Sequence, residues 1–339
     1  MEVEKIMKFA ILGGGGWGTA LSIVLSSKGM GVKVWEYDSE QCERVKKSGE
    51  NEKFLPGVTI PSTVAFTSDI WDAIQGREVL VFAVPSHTLR GVARSLAKLE
   101  LSCSLVVSGT KGIEDDSLMR MSEVLADELP PSVADKIIVL AGPSHAEEVS
   151  RMCPTALVAA SANLALAKQV QQLFSTNYFR VYSNEDVTGV ELSVSVKNVI
   201  AIAAGICDGI GYGDNTKAAL ITRGLAEITR LGVALGARRE TFFGLAGVGD
   251  LVVTCLSRHS RNRHVGEQVG KGRTLESVLS EMAMVAEGVR TTRSALHLSR
   301  RHEVEMPITE QVYAVLFEGK DPHFAMDELM SRELKSETW

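Results

Sequence analysis

Residues 8–25, KFAILGGGGWGTALSIVL, decide how the rest of the chain is read. Lys8–Leu12 is a short apolar run with strand character, and it passes straight into glycine. Gly13, Gly15 and Gly18 satisfy G-x-G-x-x-G, and Thr19–Leu25 continues with helical character. Each glycine answers a separate demand. Gly13 permits a tight turn, Gly15 lets a pyrophosphate approach the backbone, and Gly18 lets helix and strand pack closely. The helix N-terminus then offers free N–H groups and a positive dipole end to phosphate. A glycine fingerprint alone is weak. Here a strand precedes it, a helix follows it, and a second strand lies at Val32–Trp35. That strand ends in Glu36-Tyr37-Asp38. An acid about 20 residues beyond the fingerprint holds the adenosine ribose hydroxyls in such folds. Glu36 and Asp38 are both candidates, and Asp38 also stands where the next helix needs an N-cap.

Working outward, further strands are expected at Val79–Val84, Ser104–Ser108, Lys136–Ala141, Ala156–Ala160 and Phe179–Tyr182. Short apolar runs separated by helix-like stretches suit a mainly parallel sheet covered on both faces. Three strand ends carry polar or glycine-rich loops: Pro85-Ser86-His87, Gly109-Thr110-Lys111-Gly112 and Gly142-Pro143-Ser144-His145. Ligands in open α/β sheets bind beyond the carboxyl ends of the strands. Lys111 is therefore a candidate substrate or phosphate ligand, weighed against a loop lysine in water. His87 and His145 are weaker candidates, since either can cap the helix that follows.

After Asn184 the strand signals fade. Helices are expected over Glu185–Gly205, Thr216–Leu235, Thr274–Met284, Arg290–Arg301 and Ile308–Phe317. The fold class is thus α/β, with a Rossmann-like N-terminal domain over 1–186 and a second, all-helical domain over 187–339. The second domain opens on ELSVSVKNVIAIAAG, Glu191–Gly205. This stretch is apolar enough to be buried, yet it holds Lys197. Burial disfavours an ammonium and lowers its pKa toward neutrality, as a general acid or base requires. The plain alternative is a lysine snorkelling to solvent beside a core helix. Glu191, Ser195 and Asn198 recur at helical spacing and form one polar stripe.

Two loops are expected between the helices. Gly244–Leu251, GLAGVGDL, is glycine-rich and contains Asp250. Ser257–His264, SRHSRNRH, is basic in an otherwise acidic chain. A short basic cluster without interleaved aromatics argues against nucleic acid. Arginine instead offers a bidentate fork to a phosphate or pyrophosphate. Glu287 is a possible ribose partner, or an ordinary surface acid.

The totals agree with this outline. At 339 residues the chain is long enough for two domains. A net charge of −6 argues against a general binder of nucleic acid or anionic membrane. The five cysteines lack any CxxC or paired histidine spacing, which reads as reduced thiols in a cytoplasmic protein and gives no metal site. No run of about 18 uninterrupted apolar residues occurs, so no membrane-spanning helix is expected. The start, MEVEKIMKF, has acids and no apolar core, so it is not read as a signal peptide.

Eight segments taken together, GGGGWGTAL, VPSH, SGTKGI, AGPSHAEEV, ELSVSVKNVIAIAAG, GLAGVGDL, SRNR and AEGVRT, occur in an order that resembles the bacterial-type NAD(P)-dependent glycerol-3-phosphate dehydrogenases. The likeness runs from about residue 7 to 330. It implies a cytosolic enzyme, usually a homodimer. Such an enzyme interconverts dihydroxyacetone phosphate and sn-glycerol 3-phosphate for phospholipid synthesis. Carried over by residue, it implies Lys197 as proton donor and acceptor. It implies substrate contacts at Lys111, Gly142, Ser144, Asp250, Ser260, Arg261 and Asn262, with Asn198 and Thr254 also at active-site positions. Cofactor contacts would be Gly16, Trp17, Tyr37, Lys111, Ala146, Arg261, Val285 and Glu287, beside Gly13, Gly15, Gly18 and Glu36. Many bacterial members carry a basic residue after the second strand where this chain has Glu36-Tyr37. That departure favours NAD at least as much as NADP, with Lys33 and Arg44 the cations nearest in sequence. Two other classes fit part of the pattern: a β-hydroxyacid-type two-domain dehydrogenase, and a non-catalytic nucleotide sensor.

Overall fold

Alternation along the first strands sorts their side chains into two cores. Phe9 and Ile11 join one buried cluster, while Ala10 and Leu12 join the other. Val79 and Val81 separate from Leu80 and Phe82 in the same way. A strand with successive side chains on opposite faces can bury all of them only when both faces are covered. The computed structural model describes residues 6–99, 101–282, 284–334 and 336–337, and it shows such a sheet. Its strands are β1 (Lys8–Leu12), β2 (Gly31–Trp35), β5 (Val64–Thr67), β6 (Val79–Phe82), β7 (Leu105–Ser108), β8 (Ile137–Ala141), β9 (Thr155–Ala160) and β10 (Phe179–Asn184). A small hairpin, β3 (Glu50–Asn51) with β4 (Leu55–Thr59), stands apart.

The spatial order is β10-β9-β8-β7-β6-β1-β2-β5. Every neighbouring pair is parallel except β8 with β9. The Gly16–Ser27 and Leu164–Phe174 helices cover one face through Leu21, Val24, Val170 and Phe174. The Ser86–Leu96 and Met121–Glu128 helices cover the other through Leu89, Ala93, Val124 and Leu125. The expected strands are present within a residue or two. Neither the hairpin nor β5 was expected: ENEKFLPGVT, which forms the hairpin, is too polar and too short to carry a period, and β5 is only four residues long.

Among the described residues no strand follows Asn184. A helix starts at Val187, capped by Asp186, which accepts the Gly189 N–H at 2.9 Å. It runs to Ile210 and ends on Gly211 at φ 92°, a left-handed cap that suits glycine. Every residue from Gly189 to Cys207 is buried. It is long and apolar enough to cross a membrane, yet its apolar stretch is buried inside the protein. The Asp214–Ala234, Asp250–Leu256, Arg261–Gly270, Glu287–Arg301 and Pro307–Phe317 helices surround it. The contact with Arg261–Gly270 is backbone on backbone. A Cβ at Gly205 would collide with the Arg263 carbonyl, and one at Gly266 with the Ile202 carbonyl.

Several expectations in this half need correction. The basic segment is a loop only as far as Ser260, and Arg261–Gly270 is helical. The glycine-rich segment is a kinked turn, Leu245–Gly249, with Gly247 outside helical geometry (φ −88°, ψ −106°), and it passes directly into the Asp250–Leu256 helix. The helix expected at Thr274–Met284 spans Leu275–Ser280, and Ala283 lies outside the described residues. A helix at Pro322–Met330 was not expected.

Candidate active site

Three charged side chains from distant parts of the chain meet at the carboxyl end of the sheet. Strands β7 and β8 are parallel neighbours, so the loops after them emerge side by side. The first loop carries Lys111 and the second starts at Gly142. Lys111 Nζ donates to the Gly142 carbonyl at 3.1 Å and to Asp250 Oδ2 at 3.0 Å. The other oxygen of the same carboxylate, Oδ1, lies 2.7 Å from Lys197 Nζ. Lys197 Nζ also donates to Thr254 Oγ1 at 2.5 Å, and that hydroxyl donates in turn to the Asp250 carbonyl at 2.6 Å. Asp250 and Thr254 are one turn apart on their helix, so a single element presents both groups to Lys197.

Burial sets the electrostatics. Lys197 is 4% exposed and Asp250 is 2% exposed. Burial pulls the Lys197 ammonium down to about 8; Asp250 opposes that shift and Lys111 adds to it. Burial alone would raise Asp250, but Lys111 and Lys197 outweigh it and hold the carboxyl below its ordinary range. The site thus keeps a carboxylate between two ammonium groups, one of them able to release a proton near neutral pH. Lys197 is not a snorkelling lysine, because its Nζ ends on buried partners. The neighbouring Cys255 thiol is pushed up to about 12 by burial, so it is no thiolate nucleophile.

The polar stripe on the Lys197 helix performs a different task. Glu191 accepts from Arg120 Nη1 at 2.7 Å, from Ser122 N at 2.8 Å and from Ser122 Oγ at 2.5 Å. Ser195 Oγ accepts the Gly112 N–H at 3.0 Å. Asn198 Oδ1 accepts from Asn262 Nδ2 at 2.9 Å, and Asn262 Oδ1 accepts the Gly288 N–H at 2.9 Å. The stripe therefore seats the helix against the sheet half and against its helical neighbours. Arg120 and Ser122 carried no sequence signal for this, since their partner lies about 70 positions away.

The basic segment divides by function. Ser260 accepts the Arg263 N–H at 3.2 Å as the N-cap of its helix, and Asn262 is committed to Asn198 and Gly288. Arg261 is exposed and makes no hydrogen bond or ion pair among the described residues. His145 occupies an N-cap position without making a side-chain cap bond. Burial, with the Lys197 and Lys111 charges, holds its imidazole below the ordinary range. His87 does not cap either: Pro85 holds the N-cap position of the Ser86–Leu96 helix. Ser144 Oγ donates to the Gly142 carbonyl at 2.9 Å.

At the glycine turn, a Cβ on Gly13 would lie 2.8 Å from the Ala83 carbonyl, and its φ of 117° suits glycine. A Cβ on Gly18 would run into the Gly13 carbonyl, and one on Gly16 would lie 2.7 Å from Phe54 O and 3.6 Å from the Ala146 Cβ. Around Gly15 there is open space within 4 Å. The turn is therefore crowded on the protein side and open where a pyrophosphate would approach, so these residues fit a dinucleotide. Trp17 Nε1 beside it is buried and has no hydrogen-bond partner among the described residues. Asn51, which sequence reasoning missed, fixes the turn by donating to Gly14 O at 2.7 Å and Thr19 Oγ1 at 2.8 Å.

Glu36 is 5% exposed and faces Gly14, whereas Tyr37 is 79% exposed. Asp38 is the N-cap of the next helix, accepting from Glu40 N at 3.0 Å and Gln41 N at 3.1 Å. Lys33 and Arg44, the nearest cations in sequence, are taken up by Asp72 and by Gln41. Glu287 accepts from Ser86 N at 3.0 Å and Ser86 Oγ at 2.5 Å, which ties its helix to the loop after β6. Val285 is half-buried in the segment just before that helix.

A parallel sheet with a glycine fingerprint and an acid after β2, facing a buried helical lysine, defines the class of two-domain nicotinamide-dependent dehydrogenases. The comparisons narrow it. Residues 8–167 match the model of the NAD-dependent glycerol-3-phosphate dehydrogenase N-terminus, and residues 186–327 match that of its C-terminus. The chain belongs to the NAD-dependent glycerol-3-phosphate dehydrogenase family. It is 54% identical over 331 residues to a glycerol-3-phosphate dehydrogenase (NAD(P)+) of Chlorobium phaeobacteroides strain BS1, covering 98% of this chain and 99% of that one. A protein of the same name from Pelotomaculum thermopropionicum is 53% identical, with 96% and 93% covered. The crystal structure of glycerol-3-phosphate dehydrogenase (gpsA) from Coxiella burnetii superposes with a TM-score of 0.92 at 39% identity, covering 96% of this chain and 99% of that one.

Proposed function

We propose that this chain interconverts dihydroxyacetone phosphate and sn-glycerol 3-phosphate with NAD(P)(H), using Lys197 as the proton donor and acceptor. The observation that carries the reading is the Lys197–Asp250–Lys111 arrangement at the open end of a dinucleotide-binding sheet. When bound, the reduced cofactor supplies a hydride equivalent for the C2 carbonyl of the substrate. Lys197 donates a proton to the oxygen of that carbonyl, where negative charge develops. Asp250 fixes the direction of the Lys197 ammonium, and Thr254 holds it from a second side. Lys111 adds a positive charge beside the same oxygen. Arg261 offers its unengaged guanidinium fork to the substrate phosphate, whose binding energy positions the reacting carbon. Gly142, Ser144, Asn198, Ser260 and Asn262 shape the walls of this site. The glycine turn, Trp17, Glu36, Tyr37, Ala146, Val285 and Glu287 border the cofactor.

In the same reading the cofactor domain is 1–186 and the catalytic domain is 187–339. The product supplies phospholipid synthesis in the cytoplasm, and the active form is a homodimer. Val252 and Leu256, one turn apart, expose 37% and 55% of their surfaces and suit a face between copies. The test follows NADH absorbance with dihydroxyacetone phosphate and, separately, with unphosphorylated dihydroxyacetone. Oxidation is expected with the first at a kcat/KM at least about a hundredfold higher. Equal rates with both, or no oxidation with either, would refute the proposal.

A further inference from the structure

The adenosine end of the cofactor site holds a cation that the order of the sequence conceals. Lys53 lies on the turn of the β3–β4 hairpin, 15 positions past Asp38. The hairpin is fixed to the glycine turn by Asn51, whose Oδ1 also accepts from Gln41 Nε2 at 3.0 Å. Phe54 closes on the same turn through its carbonyl, next to Gly16. Lys53 is thereby carried to the end of β2. Its Nζ lies 4.0 Å from Asp38 Oδ2 and 4.9 Å from the centroid of the Phe54 ring. Its side chain is 43% exposed, and it makes no hydrogen bond among the described residues.

We propose that Lys53 receives the 2′-phosphate of NADP, while Glu36 serves the ribose hydroxyls of NAD, so that one adenosine site takes both cofactors. The inference rests on the cofactor reading above. Glu36 is buried against the glycine turn. A Cβ on Gly14 would lie 2.6 Å from Glu36 Oε2, and Glu36 Oε1 accepts the Asp38 N–H at 3.1 Å. A 2′-phosphate would stand outside this carboxylate, toward Tyr37 and Lys53. Burial pushes the Glu36 carboxyl above its ordinary range, while the Asp38 N–H and the Lys53 charge oppose that shift. Asp38 is a weak rival for the Lys53 ammonium. Its Oδ1 already accepts two N–H groups as a helix cap, and the 4.0 Å contact to Oδ2 is long and partly exposed. A lysine is a mobile point charge suited to phosphate. Lys33, held 2.7 Å from Asp72, is the internal control.

The experiment is calorimetric binding of 2′,5′-ADP and of 5′-ADP to the intact protein, for the wild type and for Lys53→Met, Lys53→Glu and Lys33→Met. It needs neither substrate nor turnover. Lys53→Met should lower the affinity for 2′,5′-ADP relative to 5′-ADP about tenfold, and Lys53→Glu should lower it further. Lys33→Met should leave the ratio within about twofold. The ratio of kcat/KM for NADPH over NADH should fall in parallel. An unchanged ratio in both Lys53 variants overturns the inference, as does an equal effect of Lys33→Met. If the wild type does not bind 5′-ADP, the cofactor reading itself is at fault, which keeps the two failures apart.

Discussion

At the scale of the residue, Lys197 derives its properties from two opposed forces. Burial disfavours its charge, and the Asp250 carboxylate opposes that shift without cancelling it. A proton donor with a pKa of about 8 predicts the form of the pH profile. Reduction of the ketone needs the ammonium, so its rate should fall as pH rises through about 8. Oxidation of the alcohol needs the free amine, so its rate should rise over the same interval. Asp250→Asn removes the anion that supports the ammonium. The alkaline limb of the reductive profile should then move to lower pH, with roughly a tenfold loss of kcat/KM at pH 8. An alkaline limb unchanged in Asp250→Asn would show that another group titrates. A second pair tests the phosphate contact. Arg261→Ala should raise KM for dihydroxyacetone phosphate by roughly tenfold or more, because its guanidinium makes no hydrogen bond or ion pair among the described residues. Arg258→Ala, outside the capped helix, should change KM by less than about threefold. Steady-state kinetics of the two variants decides between a specific contact and general positive charge.

The elements show which parts of this were legible in advance. The glycine turn, β1, β2 and the Lys197 helix were legible because local chemistry dictates them: glycine where no Cβ fits, and an unbroken apolar run where both faces are covered. Arg261–Gly270 was not legible as a helix. Its buried face sets Val265 and Val269 beside Gly266 and Gly270, the glycines pressed onto Gly205 and Gly209, and the glycines break up the hydrophobic period. The β3–β4 hairpin was hidden for a related reason. Its anchor, Asn51, acts through side-chain hydrogen bonds to a turn 37 positions earlier. The glycine contact makes its own prediction. In Gly205→Ala the added methyl meets the Arg263 backbone, which cannot move without shifting the whole helix. A loss of about 1–3 kcal/mol is expected, seen as a Tm lower by several degrees. Activity should fall too, since Arg261 heads the displaced helix. An unchanged Tm would mean that the two helices pack less closely than described.

The molecule as a whole assembles its site from two halves that carry incomplete sets of groups. The sheet half contributes Lys111, Gly142 and the glycine turn; the helical half contributes Lys197, Asp250, Thr254 and Arg261. The Glu191–Arg120 and Glu287–Ser86 contacts join the two halves. This junction was the least legible feature, because it depends on partners 71 and 201 positions apart in the chain. It is also what brings the buried ammonium to the open end of the sheet. The most direct measurement is stopped-flow NADH oxidation in the presence of saturating dihydroxyacetone phosphate, for the wild type and Lys197→Ala, with NADH affinity determined separately by fluorescence. Lys197→Ala should bind NADH within about threefold of the wild type yet oxidise it at least about a hundredfold more slowly. Near wild-type oxidation by Lys197→Ala would contradict the assignment of the proton donor.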